Sequence, residues 1–316
     1  MTNPLVTPVG NGIKSIDVIA NPCSAWGRGM RRAVATSHYF ADRGIRVRQW
    51  RGTSPEGTVD LLQQRLSRRD RPDAVVCVGG DDLISTVLQV ITHTGIPLGV
   101  VPAGPSDDLA IALGIPLDDP RAAADIVLAG KRRDIDLGVI ETTSGAQCSV
   151  GRTWFATVAC TGSDARILDR VSRTRLPSGR TSLAEIATGT ARPFRIELSG
   201  GNEYSTPLVI DTEALLVTVG NSRSAAGKPI CPIALLDDGL LDVTVIGAAM
   251  GCLEAMYLFA KLAAGLPIAH PAVTYYRAPA VSLHSPGMHA VVDGARVGEL
   301  PVTVRAVSAA QAVLVP

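Results

Sequence analysis

The sequence predicts an α/β domain with a doubly wound, Rossmann-like parallel sheet, followed by a β-sandwich-like domain, with a cleft between the two. Three observations predict it. Residues 74–116, AVVCVGGDDLISTVLQVITHTGIPLGVVPAGPSDDLAIALGIP, alternate short apolar runs, glycine-rich turns and helix-length segments. Past about Lys131 the pattern changes to short alternating strands separated by turns, as in a sandwich or barrel. Hydrophobic residues make up 46% of the chain but aromatic ones only 4%, so the core is built from Val, Ala, Leu and Ile.

In chain order, Ser15–Ala20 reads as the first strand, Arg28–Ala41 as a helix, Ile45–Trp50 as a strand and Gly57–Ser67 as a helix. The basic run RLSRRDR, Arg65–Arg71, follows; it reads as a solvated helix end whose positive charge suits the C-terminal dipole. Ala74–Val78 is a buried strand, Gly79, Gly80 and Asp81 make a turn, and Leu83 to about Thr94 is amphipathic. Leu98–Val101 is the next buried strand, then a Pro-Ala-Gly turn and a short helix opened by Asp107 and Asp108. Each strand runs straight into a glycine-bearing turn, and the carboxyl edge of an open parallel sheet is where ligands bind. A helix from Asp118 to about Ala129 and a strand over Lys131–Ile140 complete the first domain, 1–135.

The second domain, 136–316, carries strands at Trp154–Ala159, Phe194–Leu198, Ala214–Val219, Leu241–Ile246, Tyr275–Leu283, Val302–Val307 and Ala312–Val315, the last able to return toward the first domain. Helices at about Asp164–Val171 and Leu253–Ala264 interrupt them. Within the second helix Met256, Phe259 and Ala260 read as core, or as lining for an apolar ligand.

Lys plus Arg number 30 and Asp plus Glu 29, so no strong field draws nucleic acid or an anionic bilayer. No apolar run reaches spanning length and MTNPLVTPVGNG lacks the regions of a signal peptide. The expectation is a soluble, cytoplasmic protein with at most peripheral membrane contact; a homo-oligomer stays open. Six dispersed cysteines without a C-x-x-C pair read as small hydrophobes rather than a disulfide or zinc framework.

The glycine turns also carry a resemblance. Gly79, Gly80 and Asp81, with Pro97, Leu98, Gly99, Pro102, Gly104 and Asp108, resemble the GGDGT and PLGxxPxGTxND motifs of the diacylglycerol kinase and sphingosine kinase family. Asn21–Gly29 is similar to that family's NPxSGxGxG loop, Trp154–Arg166 to its F-x-N-x-x-x-x-G-x-D-A segment with Thr157 at the asparagine, Asn221–Val243 to its P-x-A-x-x-x-D-G-x-L-D-V element, and Ala290–Pro301 to its DGE element with Ala295 at the glutamate.

The resemblance implies an ATP- and Mg²⁺-dependent lipid kinase that phosphorylates a hydroxyl on a lipid or apolar small molecule. By position it implies a nucleotide site from Asn21, Gly79, Gly80, Asp82, Gly104, Ser106, Asp107 and Asp108. Asp81 would act near metal and phosphates, Asp238 and Asp242 would support Mg²⁺, and Asp293 would be the general base. Asp108 also suits a helix cap, and Asp238–Gly239 a plain turn. Asp82 and Asp107 stand where the family has glycine and asparagine. Each adds a negative charge beside a polyanion, and like unit charges ~4 Å apart repel by ~4 kcal/mol at an effective dielectric near 20. Pro105 removes a backbone donor. Two other readings therefore stand beside the kinase. One is a cofactor-free family member using the acidic cleft for cyclisation or isomerisation of an apolar or cationic biosynthetic metabolite, with His284 and His289 as partners of Asp293. The other is a silent lipid-binding protein. Arg166, Arg173, Arg175 and Arg180 read as a solvated face or a lid.

Overall fold

The structure, a computed structural model, describes residues 12–20, 28–52, 54–143, 150–162, 190–200, 204–248, 252–264, 266 and 268–316. It divides into two compact units, residues 1–135 with 309–316, and residues 136–308.

In the first unit, β1 (Ser15–Ala20), β2 (Arg46–Arg51), β3 (Ala74–Gly79) and β4 (Leu98–Pro102) form a parallel sheet in the order β2-β1-β3-β4, and Val313 of the last strand pairs in parallel with Leu98. β3 and β4 are buried at every residue, because helices cover both faces of such a sheet. Helices α1 (Arg28–Ala41) and α5 (Pro120–Ala129) pack together, as do α2 (Pro55–Leu66) and α3 (Asp81–Ile91). Ser54 and Asp119 cap α2 and α5, each ahead of a proline that fits the first turn. The short α4 (Asp108–Leu113) ends at Gly114 in the left-handed region. The basic run departs from expectation at its first residue. Arg65 is 2% exposed and pairs at 2.7 Å with the equally buried Asp17 of β1. The run is anchored at one end rather than solvated throughout.

The second unit is antiparallel. After β5 (Arg132–Thr143) and β6 (Val150–Phe155), β7 (Val158–Gly162), β8 (Arg192–Gly200), β9 (Tyr204–Gly220) and β10 (Leu241–Gly247) lead to α6 (Cys252–Ala263). Then come β11 (Val273–Ala278), β12 (Ala280–His284), β13 (His289–Val292), β14 (Ala295–Glu299) and β15 (Val302–Leu314). The main path runs β14-β13-β7-β9-β8-β12-β15, with β10 between β9 and β11. Alternate residues face opposite sides: Ala159, Val217, Val219, Val243 and Val292 enter one core, while Val158, Cys160, Leu216, Ile246 and Val291 enter the other with Ile230, Cys231 and Leu258. Cys77, Cys160 and Cys231 are buried free thiols.

Four expected strands differ. Tyr275–Leu283 is two strands with different partners, β11 on β10 and β12 on β8 and β15, parted at Pro279, which has no N–H for a ladder. Trp154–Ala159 is likewise split, between β6 and β7 at Ala156 and Thr157. Val302–Val307 and Ala312–Val315 instead belong to one strand, β15, whose Ala309 takes a left-handed φ of 49° where the two units divide. The helix expected at Asp164–Val171 lies outside the described residues, as do Arg166, Arg173, Arg175 and Arg180 and the side chains of Met256 and Phe259. Ala260 is exposed.

Candidate active site

The two glycine turns of the first unit follow adjacent strands and touch. The Ala103 N–H donates to the Gly79 carbonyl at 3.0 Å. A Cβ on Gly80 would lie 2.9 Å from Gly104 Cα, and one on Gly104 would lie 2.5 Å from Gly80 Cα. Neither position tolerates a side chain, since backbone is what it would strike.

Asp81 fastens the turns to α4. One carboxylate oxygen accepts the Asp108 N–H at 2.8 Å and the Ser106 hydroxyl at 3.2 Å, and the other accepts the Leu109 N–H at 3.0 Å. It satisfies amides that the first turn of a helix leaves without partners. Burial raises its pKa, the three hydrogen bonds oppose the rise, and the Asp82 charge adds to it. Asp107, at a left-handed φ of 53°, folds its carboxylate back to accept the Gly104 N–H at 2.9 Å. Burial pushes Asp107 up to about 6, helped by the Asp81 charge and resisted by Gly104 and Arg32. Asp82 is exposed on the first turn of α3, and Asp108 is buried. Arg32 of α1 donates to the carbonyls of Pro102 at 2.5 Å and Leu117 at 3.5 Å. It tethers the second turn; nothing in a helix reading of RRAVATSHY marks it for this.

In the second unit Asp293 and Gly294 form the two-residue turn between β13 and β14, with φ of 45° and 80°. Positive φ at both central residues is the hairpin geometry that Asp-Gly and Asn-Gly favour. The Asp293 carboxylate accepts the Thr157 hydroxyl at 2.8 Å. Thr157 is itself pinned: its carbonyl accepts the N–H groups of Asn221 at 2.9 Å and Ser222 at 3.2 Å. The Asn221 side chain donates to the carbonyls of Asp136 at 2.9 Å and Ala156 at 3.2 Å, and the Asp136 carboxylate accepts the Gly239 N–H at 2.6 Å. Asn221, Thr157 and Asp136 thus hold two aspartate turns, Asp293 and Asp238, in one hydrogen-bonded frame. His289 pairs with Glu299 across the hairpin at 3.1 Å and His284 is exposed at the end of β12.

The metal residues implied by the resemblance are Asp238 and Asp242. Asp242 on β10 lies directly opposite Arg277 on β11 in the antiparallel register, with Arg277 Nε 3.4 Å from its carboxylate. The same guanidinium is bound to Asp238, whose other oxygen accepts the Leu240 N–H at 3.0 Å. Burial raises Asp242 to about 6, against the pull of Arg277. A divalent ion here would sit beside a fixed cation, and two unit charges ~4 Å apart already repel by ~4 kcal/mol at an effective dielectric near 20. The set does not fit Mg²⁺. Among the described residues no group of three or more His, Cys, Asp or Glu is placed to hold a metal ion.

Of the sequence-derived residues, the structure brings Gly79, Gly80, Asp81, Gly104, Ser106, Asp107 and Asp108 together, and in the other unit joins Asp238 to Asp242 through Arg277. Asn21 lies outside the described residues. Asp136, Arg32 and Arg277 were missed.

The fold and these turns define a two-part α/β and β-sandwich kinase architecture, and comparison with known proteins agrees. Residues 15–140 match the diacylglycerol kinase catalytic domain and residues 157–315 the YegS C-terminal NAD kinase beta sandwich-like domain. A chain named "Diacylglycerol kinase" from Mycobacterium tuberculosis is 35% identical over 310 residues, covering 96% of each chain. A "Probable lipid kinase YegS-like" protein of Xanthomonas campestris is 32% identical over 241 residues, 74% of each. Among solved structures, a diacylglycerol kinase from Bacillus anthracis superposes with a TM-score of 0.71 at 16% identity, covering 97% of this chain and 98% of that one. Yeast NADH kinase complexed with NADH superposes at 0.56 and 10% identity, covering 96% and 83%. The chain belongs to the diacylglycerol kinase and YegS-like lipid kinase family. Among the described residues no helix is long and apolar enough to cross a membrane.

Proposed function

We propose that this chain transfers the terminal phosphoryl group of ATP to a hydroxyl of a diacylglycerol-like lipid. The observation that carries the reading is the contact of Gly80 with Gly104, which makes one backbone-lined rim from two turns. The 35% identity to a "Diacylglycerol kinase" over 96% of both chains supports the substrate class. The electrostatic case against a polyanion is halved, because Asp82 is exposed and its charge solvated.

In this reading the turns of the first unit hold the nucleotide, which brings its own divalent cation. Asp293 takes the proton of the acceptor hydroxyl. The hydroxyl oxygen bonds to the terminal phosphorus, the bond to the bridging oxygen breaks, and ADP leaves. Asp293 is at a hairpin tip with its carboxylate oriented by Thr157, as a base aimed at one proton requires. The test is transfer of label from γ-labelled ATP to dioleoylglycerol in mixed micelles. Labelled phospholipid with stoichiometric ADP is expected; full-length folded chain that neither transfers label nor gains thermal stability from Mg·ATP contradicts the reading.

A further inference from the structure

We propose that Arg277 is the resident cation of the Asp238–Asp242 pair, so that this chain holds the end of β10 without a divalent metal. The register carries the point. Antiparallel pairing sets Arg277 of β11 directly opposite Asp242 of β10, and cross-strand neighbours of opposite charge meet on one face of a sheet. The guanidinium then reaches back past Asp242 to the turn, where it binds Asp238. Two carboxylates from one turn-and-strand segment therefore share one guanidinium, which hydrogen-bonds Asp238 through one nitrogen and faces Asp242 as an ion pair through another.

The surroundings are built for this occupant. Asp242 is 3% exposed and neither of its oxygens accepts a hydrogen bond among the described residues, so Arg277 supplies the compensating charge. Asp238 gives its remaining oxygen to the Leu240 N–H, and Gly239 between them donates to Asp136. The turn is thus fixed by backbone donors while its charge is answered from the neighbouring strand. A small hydrated dication would need those same carboxylate oxygens at ~2.0–2.1 Å, the places the guanidinium already faces. The inference concerns only this pair; the metal that accompanies ATP is a separate ion.

The test is thermal unfolding of the full chain in EDTA and in millimolar MgCl₂ or CaCl₂, without nucleotide, for wild type, Asp242→Asn, Arg277→Ala and Arg277→Ala with Asp242→Asn. Wild type and Asp242→Asn are expected to respond alike to the divalent ions. Arg277→Ala is expected to melt roughly 4–8 °C lower in EDTA and to regain part of that loss on adding divalent ion, a gain the double variant lacks. A divalent-ion gain present in wild type and lost in Asp242→Asn overturns the proposal, as does Arg277→Ala melting like wild type in EDTA. Should Arg277→Ala not fold, the wild-type and Asp242→Asn pair still decides. No arm reads phosphoryl transfer, so the result stands apart from the kinase reading.

Discussion

The carboxylates at the candidate sites of the two units are held in different ways. In the first, Asp81 and Asp107 are held by backbone amides: Asp108, Leu109 and Gly104 donate to them. In the second, Asp238 and Asp242 are held by a guanidinium, and Asp293 by a hydroxyl. Amides are fixed by the fold and cannot be exchanged by substitution, so the first arrangement depends on glycine geometry. Side-chain partners can be removed singly, so the second can be taken apart residue by residue. The difference also sets the chemistry. A carboxylate spent on amides shapes a loop, whereas one oriented by a hydroxyl at a hairpin tip can be aimed at a proton.

The largest effect falls on the amide-held side. Gly104→Ala puts a Cβ against the Gly80 backbone at 2.5 Å, and backbone yields little. The chain is expected to lose about 3 kcal/mol and its stabilisation by Mg·ATP together, measured by denaturant and thermal unfolding. Wild-type stability in this variant would mean that the two turns do not pack on each other.

Next comes the hydroxyl. Thr157→Val keeps the shape and removes the donor to Asp293, and is expected to lower kcat by roughly tenfold with KM unchanged. Thr157→Ser restores the donor and should recover most of the rate. Equal rates for Val and Ser would leave Thr157 a packing residue.

The smallest effect concerns Asp107. Its folded pKa of about 6 lies above the usual carboxylate range, so the native state binds more protons than the unfolded chain. Stability from this group is present below the unfolded value and falls as pH rises from about 4 to about 6. Asp107→Asn keeps an oxygen for the Gly104 N–H and is expected to add about 1–2 kcal/mol at pH 7.5, vanishing near pH 4. Urea unfolding at both pH values checks it. A variant less stable than wild type at pH 7.5 would show that the charge stabilises the turn.

Much of the first unit was legible because β1, β3 and β4 are apolar runs ending at Gly, Pro or Asn, and because glycines where two backbones meet admit no other residue. The second unit hid more. The sequence TYYRA reads as a strand and nothing else; Arg277 matters only through a register that pairs it with Asp242, 35 residues earlier. Arg65 reads as one charge in a basic run, and only the neighbouring β1 explains its burial. By resemblance Asp81 belongs near phosphates; its three accepted hydrogen bonds, which sequence does not show, also give it a structural task in α4. The break after Phe155 leaves no proline or glycine to read, yet it sets Thr157 against Asp293.

The most direct test is Asp293→Asn. Asn-Gly suits this two-residue turn as well as Asp-Gly, so fold and melting temperature should hold within ~1 °C while ATP-dependent lipid phosphorylation falls by roughly 10²–10⁴-fold. A folded Asp293→Asn chain that phosphorylates lipid at the wild-type rate would contradict the assignment of Asp293 as the base.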